Sequence, residues 1–190
     1  MKKNFDIIIS GVGGQGIITL TRILAQAALI DGYNVKTSEL HGLSQRGGSV
    51  ETHIRLGKNI FSPLVSIGKA DLIFSLEMLE ALRVKRFANK KTTFLINQYY
   101  LPFEGSPKKD YIIDNLNKVL GKKIFISASE VCEKELKNQV LSGIFMVSYA
   151  SFKGIIPIKP ESILKTIKKV VPAKYFEINK KAFELAKRQK

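Results

Sequence analysis

With 190 residues, 45% of them hydrophobic, the chain is long enough to bury a core of its own, and a single domain over residues 1–190 is the expectation. One cysteine, Cys132, excludes an internal disulfide and cannot supply the thiolates of an iron–sulfur cluster, and no apolar run nears the roughly 20 residues needed to cross a bilayer. The formal charge of +15 raises the question of nucleic acid or an acidic partner. Residues 1–57 carry 6 basic and 4 acidic side chains, so the excess lies later, in stretches such as "RVKRFANKK" and "KKAFELAKRQK". These lack the aromatic interleaving of a single-strand stacking surface, so they read as solvated faces or as a surface matched to an acidic partner. A cytoplasmic protein without nucleic-acid or membrane contacts is expected.

In chain order, "FDIIIS" reads as a first strand that runs straight into a glycine loop. "IITLTRILAQAALIDG" is a helix with Ile17, Leu20, Ile23, Leu24, Ala27 and Ala28 on one face, closed by Gly32. "NVKTSEL" is a second strand. "SVETHIRLG" alternates Val50, Thr52, Ile54 and Leu56 with Ser49, Glu51, His53 and Arg55, which predicts a half-exposed strand antiparallel to a neighbour. "ADLIFSLEMLEALRVKRF" is strand then helix, "TTFLINQYY" a strand, "YIIDNLNKVLG" a helix and "KKIFISAS" a strand. From "EVCEKEL" onward the chain is mainly helical, punctuated by Pro157, Pro160 and Pro172. Cys132 falls on the inner face of a short helix, as a small buried hydrophobe would. The sum predicts an α/β fold: a three-layer α/β/α sandwich with a mostly parallel, partly mixed sheet and additional C-terminal helices.

Two polar, glycine-rich loops carry the chemistry. Gly11, Gly13 and Gly16 form G-x-G-x-x-G between strand and helix, a layout that lets the backbone approach a phosphate at a helix N-terminus. Glu39 stands 23 residues after Gly16, close to where a dinucleotide site places its ribose-binding acid. An autonomous NAD(P)- or flavin-binding reductase is therefore one reading. Gly14 and Gln15 depart from the usual small or apolar residues of that fingerprint, and Glu39 leads at once into "LHGLSQRGGSV". His41, Ser44, Gln45, Arg46, Gly47 and Gly48 crowd into this second loop. Two such loops leaving the same end of a sheet would face each other across its ligand crevice. Gln15 suits a ligand or partner, and His41 a hydrogen bond at an interface or within its own loop. Arg46 offers a planar fork for a carboxylate or phosphate, or for a salt bridge. Ser44 lacks the histidine and carboxylate of a nucleophile, and His41, His53, Glu39 and Glu51 have no metal-ligand spacing.

Together, "GVGGQGIITLTRILAQAAL" and "TSELHGLSQRGGSVETHIRLG" resemble the gamma domain of the 2-oxoacid:ferredoxin oxidoreductases, and within that family the small (beta) subunits of the indolepyruvate enzymes. "NQVLSGIFMVSYA", "IPIKPESILKTIKKVVP" and "EINKKAFELAK" extend the resemblance to nearly the whole chain. The resemblance implies a non-catalytic subunit, inactive alone, of an enzyme that oxidatively decarboxylates an aryl pyruvate to an acyl-coenzyme A. It implies that thiamine diphosphate, Mg and iron–sulfur clusters sit on a large (alpha) catalytic subunit, and that electrons leave through ferredoxin. This chain then binds no cofactor alone. Its Gly11, Gly13, Gly14, Gln15, Gly16, Glu39, His41, Gln45, Arg46, Gly47 and Gly48 face coenzyme A, substrate or the partner chain.

Overall fold

The apolar run near the N-terminus forms β1 (Phe5–Val12), and the helical pattern behind the glycine loop forms α1 (Ile17–Ile30). The computed structural model describes residues 4–41 and 47–189, the side chain of residue 41 excepted. All six inward positions expected on α1 are buried. The helix ends with Tyr33 N–H on the Ala28 carbonyl and Gly32 N–H on that of Leu29, with Gly32 at φ 79°, where a side chain would strain the backbone.

Five more strands follow: β2 (Asn34–His41), β3 (Ser49–Gly57), β4 (Leu72–Ser75), β5 (Thr93–Asn97) and β6 (Lys122–Ile126). They make one six-stranded sheet in the order β2-β3-β1-β4-β5-β6. β1, β4, β5 and β6 run parallel, while β3 is antiparallel to both β1 and β2. One face is covered by α1, α4 (Ala128–Leu136), α5 (Ser142–Phe152), α6 (Pro160–Val170) and α7 (Phe176–Arg188). Ile7, Ile9, Leu24, Ile54, Phe74 and Phe145 fill that core, and α5, buried almost all round, runs through its middle. The other face carries α2 (Met78–Arg83) and α3 (Lys109–Lys118), over Ile8, Ile73, Phe94 and Ile96. Each fully buried side chain of this size contributes about 2 kcal/mol, an upper estimate since unfolded chains already bury some of it. Cys132 is fully buried and burial pushes its thiol up to about 12, so it packs and does not react. Among the described residues no helix is long and apolar enough to cross a membrane. The three-layer α/β/α arrangement, the mixed sheet and the C-terminal helices agree with the sequence pattern.

β3 corrects one expectation. It is antiparallel, but it lies between β2 and β1, and its polar face is covered as well. His53 is only 2% exposed. Residues 58–69, which form no helix or strand, lie over that face. Arg55 Nη1 donates to the carbonyls of Ser62 (3.2 Å) and Leu64 (3.4 Å), and Val65 N–H donates to His53 Nδ1 (2.9 Å). With Nδ1 accepting, His53 Nε2 is the donor to Glu51 Oε1, 2.9 Å away. Burial raises the Glu51 carboxyl, but the His53 hydrogen bond and the Arg86 charge outweigh it and hold the group below its usual value. The polar alternation of this strand serves an internal hydrogen-bond array.

Candidate functional site

At its carboxyl end β1 passes into Gly13, Gly14, Gln15 and Gly16 before α1 begins. Gly14 at φ 102° and Gly16 at φ 77° lie in the left-handed region, and a Cβ added at either would meet nothing within 4 Å. Backbone geometry demands glycine there, and among the described residues nothing fills the space beside them. Among the described residues no side chain caps the first turn of α1, which carries the partial positive charge of the helix end.

Gln15 is turned into its own loop. Its Oε1 accepts Val12 N–H at 2.7 Å and its Nε2 donates to the Leu76 carbonyl at 3.4 Å. That position is available because Gly11, buried in β1, has no side chain: a Cβ there would stand 2.6 Å from Gln15 Oε1. The side chain expected to meet a ligand thus also braces the loop.

The two glycine loops are joined. Gly13 N–H donates to the Gly48 carbonyl at 2.8 Å, and Gly47 N–H to that of Gly13 at 3.4 Å. These bonds continue the β1–β3 ladder beyond the Val12–Ser49 pair, so residues 13–16 and Gly47–Gly48 form one ridge at the carboxyl end of β1. Gln45 and Arg46, like Ser44, lie outside the described residues. His41 ends β2 with its backbone paired to Val50. Glu39 is placed elsewhere: its side chain is exposed, and β2 is separated from β1 by β3, about 10 Å of sheet. In a dinucleotide fold the acid-bearing strand lies beside the first.

A cleft runs from this ridge along the carboxyl ends of β1, β5 and β6. Beside Gln15 and Gly16 lies an apolar cavity of about 400 Å³ lined by Leu20, Val140, Leu141, Ile144, Val171 and Ile178. A cavity of about 160 Å³ over Gly14, Tyr99, Ser129 and Ser142 leads on to a polar one of about 450 Å³ with Lys134 and Lys137 on its wall. Val140 and Gln139 border successive parts of this path. Periodicity could not reveal these residues, because they come from loops and helix ends of distant segments.

Two buried carboxylates behind the ridge also escaped sequence reasoning. Glu77 (1% exposed) caps α2 by accepting Glu80 N–H at 2.8 Å and takes Leu101 N–H at 3.3 Å. Glu80 (3% exposed) accepts the hydroxyl of Ser49, the first residue of β3, and Arg83 Nη1 at 2.8 Å. The only sequence signal was their spacing of three around a helix start in "SLEMLE". Burial pushes both carboxyls above the ordinary 4.5. As pH rises from 4.5, the folded protein holds these protons longer than the unfolded chain, so stability falls across the interval up to the folded values. Glu51 titrates on the other side of 4.5, its stabilisation being lost as pH falls. The urea midpoint of Glu80→Gln is expected to fall less steeply above pH 4.5 than that of the parent chain. Parallel slopes would mean that Glu80 ionises as freely as a surface carboxylate.

A family model described as pyruvate ferredoxin/flavodoxin oxidoreductase matches residues 6–189. The chain is 37% identical over 195 residues to the indolepyruvate oxidoreductase subunit IorB of Archaeoglobus fulgidus, covering 97% of this chain and 94% of that one. It is 34% identical to the subunit of the same name from Thermococcus kodakarensis, covering 96% and 94%. Among solved structures, the pyruvate oxidoreductase subunit PORC of Thermotoga maritima superposes with a TM-score of 0.75 at 22% identity, over 99% of this chain and 97% of that one. The 2-oxoglutarate:ferredoxin oxidoreductase of Magnetococcus marinus, with 2-oxoglutarate, coenzyme A and succinyl-CoA bound, gives 0.74 at 18%, over 100% of this chain and 32% of that one. Both structures share the fold.

Proposed function

The chain belongs to the pyruvate ferredoxin/flavodoxin oxidoreductase family, and we propose that it is the small, non-catalytic subunit of an indolepyruvate:ferredoxin oxidoreductase. One observation carries this reading. Identity to four subunits named IorB is 37, 34, 32 and 31% over nearly the full chain, against 24 or 25% for pyruvate/ketoisovalerate gamma subunits. An aryl pyruvate is therefore the substrate of choice, converted by oxidative decarboxylation to an acyl-coenzyme A, with ferredoxin taking the electrons.

The donor set of this chain does not fit the cofactors of that reaction. It has one cysteine, which is buried, and among the described residues no group of three or more His, Cys, Asp or Glu could hold a metal. Thiamine diphosphate, magnesium and the iron–sulfur clusters are assigned to a large catalytic subunit, and no bond-breaking step to this chain. Its own contribution is the glycine ridge. Gly13, Gly14, Gly16, Gly47 and Gly48 bring backbone close to the partner's active site, and the first turn of α1 offers amides to an anionic group of coenzyme A. Gln15, His41, Gln45 and Arg46 stand beside that contact in sequence, with Gly11 holding Gln15 in place. Glu39, on the far strand, faces the partner chain. The complex is placed in the cytoplasm.

The test compares the isolated chain with the anaerobically purified complex. Indolepyruvate-dependent, coenzyme A-dependent ferredoxin reduction is expected from the complex and none from the chain alone. Turnover by the pure chain, or a complex that ignores aryl pyruvates, would overturn the reading.

A further inference from the structure

We propose that residues 58–69, together with the adjoining face of β2, form the surface on which the large subunit docks, through an apolar patch ringed by its Asp and Glu side chains. This inference rests on the subunit reading above and names where that contact lies. Three observations support it.

First, the segment displays apolar side chains where a helix layer would otherwise lie. Phe61 is 90% exposed, Ile67 72% and Leu64 48%, within seven residues of chain. Leu40 on β2, 47% exposed, projects from the same face, since it pairs with Glu51 in the register that sets Ser38 opposite His53 and Lys36 opposite Arg55. Isolated surface hydrophobes need no explanation, but a contiguous group of this kind marks an interaction site.

Second, the display is fastened from beneath. Arg55 holds the carbonyls of Ser62 and Leu64, and His53 holds Val65 N–H. Gly68 N–H bonds the Arg86 carbonyl at 3.0 Å, and Asn89 Nδ2 donates to the Gly68 carbonyl at 2.9 Å. With Asn34 Nδ2 donating to the Lys58 carbonyl at 2.6 Å, both ends and the middle of the segment are pinned, so Phe61 and Ile67 are presented in a fixed arrangement that costs little ordering entropy on binding.

Third, among the described residues the exposed charge on this face of the sheet is cationic, the exposed Glu39 lying on the other face opposite Thr52. Lys36, Lys58 and Lys69 are exposed there, and the Arg86 side chain keeps 51% of its surface exposed while bonding Glu51. The nearby carboxylates are turned inward: Asp6 to Arg55, Glu51 to His53 and Arg86, and Asp71 to the Asp6 amide. An apolar centre with a cationic rim is complementary to an apolar centre with an anionic rim, which steers encounter and selects the partner.

The test is assembly of the complex from its two chains. Phe61→Asp and Ile67→Asp, at positions too exposed to support the fold, are expected each to weaken assembly by roughly 30-fold. Leu120→Asp, at an exposed apolar site (54%) by the opposite edge of the sheet, is expected to leave it unchanged. Assembly of the parent chains is expected to weaken as salt rises. Assembly of both variants at parental strength would overturn the docking surface while leaving the subunit reading intact. Failure of the parent chain to associate with any larger chain would overturn the subunit reading and this surface with it. A parent chain that self-associates through residues lost in Phe61→Asp would make the occupant a second copy, again overturning the proposal.

Discussion

Gly11→Ala is expected to destabilise the protein by about 3 kcal/mol, the sum of overpacking a filled site and orphaning a buried amide. The added Cβ would stand 2.6 Å from Gln15 Oε1, 3.0 Å from Ile17 Cδ1 and 3.2 Å from Leu76 Cβ. Ile17 is buried in the core and cannot retreat freely, so Gln15 must move. Its departure leaves Val12 N–H, on a residue 7% exposed, without its 2.7 Å acceptor. Gly14→Ala and Gly16→Ala meet none of the described residues and should cost the strain of a left-handed backbone, about 1–2 kcal/mol each. Urea denaturation of all three variants decides the ranking. A double variant, Gly11→Ala with Gln15→Ala, should lose less than the two single losses added together, because the clash disappears with the side chain. Strict additivity would show that Gln15 does not occupy this position.

Arg55→Ala is expected to cost about 3 kcal/mol and to loosen the segment that roofs β3. The Arg55 Nε lies 2.9 Å from Asp6 Oδ1 and its Nη2 3.2 Å from Oδ2, a two-pronged pair with the Asp6 side chain 11% and the Arg55 side chain 21% exposed. Truncation leaves the carboxylate without its cation at a site where little water reaches, and that is the larger part of the cost. The partial exposure of Arg55 places the figure at the low end for buried pairs. The carbonyls of Ser62 and Leu64 lose their donor at the same time. Hydrogen exchange at the Val65 amide, which is bonded to His53, is expected to speed up, and Arg55→Lys should recover the charge but only part of the protection. Unchanged Val65 protection in Arg55→Ala would mean that the His53 bond and packing hold the segment without Arg55.

Most elements were legible because the chain keeps a clear period wherever one face is wet and one dry. Ile17, Leu20, Ile23, Leu24, Ala27 and Ala28 announce α1, and Pro160 and Gly32 mark ends that the structure also has. That two polar glycine loops leave the same edge of the sheet was also legible, and Gly13 bonds both Gly47 and Gly48. What lay hidden depends on contacts between distant segments. His53 and Arg55 alternate like solvent-facing residues because polarity tells where a side chain can be satisfied, and here it is satisfied by backbone of residues 58–69. Gln15 looked outward because its partner carbonyl, that of Leu76, lies 61 residues away. Glu80 carried no sequence mark of its bond to Ser49, because β3 brings the two together from 31 residues apart. Glu39 sat at a plausible distance along the chain, but the insertion of β3 took it away from β1.

That insertion also governs how the molecule comes into being. In a simple β–α–β unit the second strand pairs with the first as soon as the helix between them has formed. Here β2 has no partner in β1, and β1 has none on that side until Ser49–Gly57 has been made and threaded between them, joining Phe5 to Leu56 and Val35 to Leu56 in one row. Pairs such as Phe5 with Leu56 lie far apart in the sequence, so this half of the sheet can close only once Ser49–Gly57 is available. The glycine ridge extends that same β1–β3 ladder, so its geometry depends on a strand that the chain supplies only after β2.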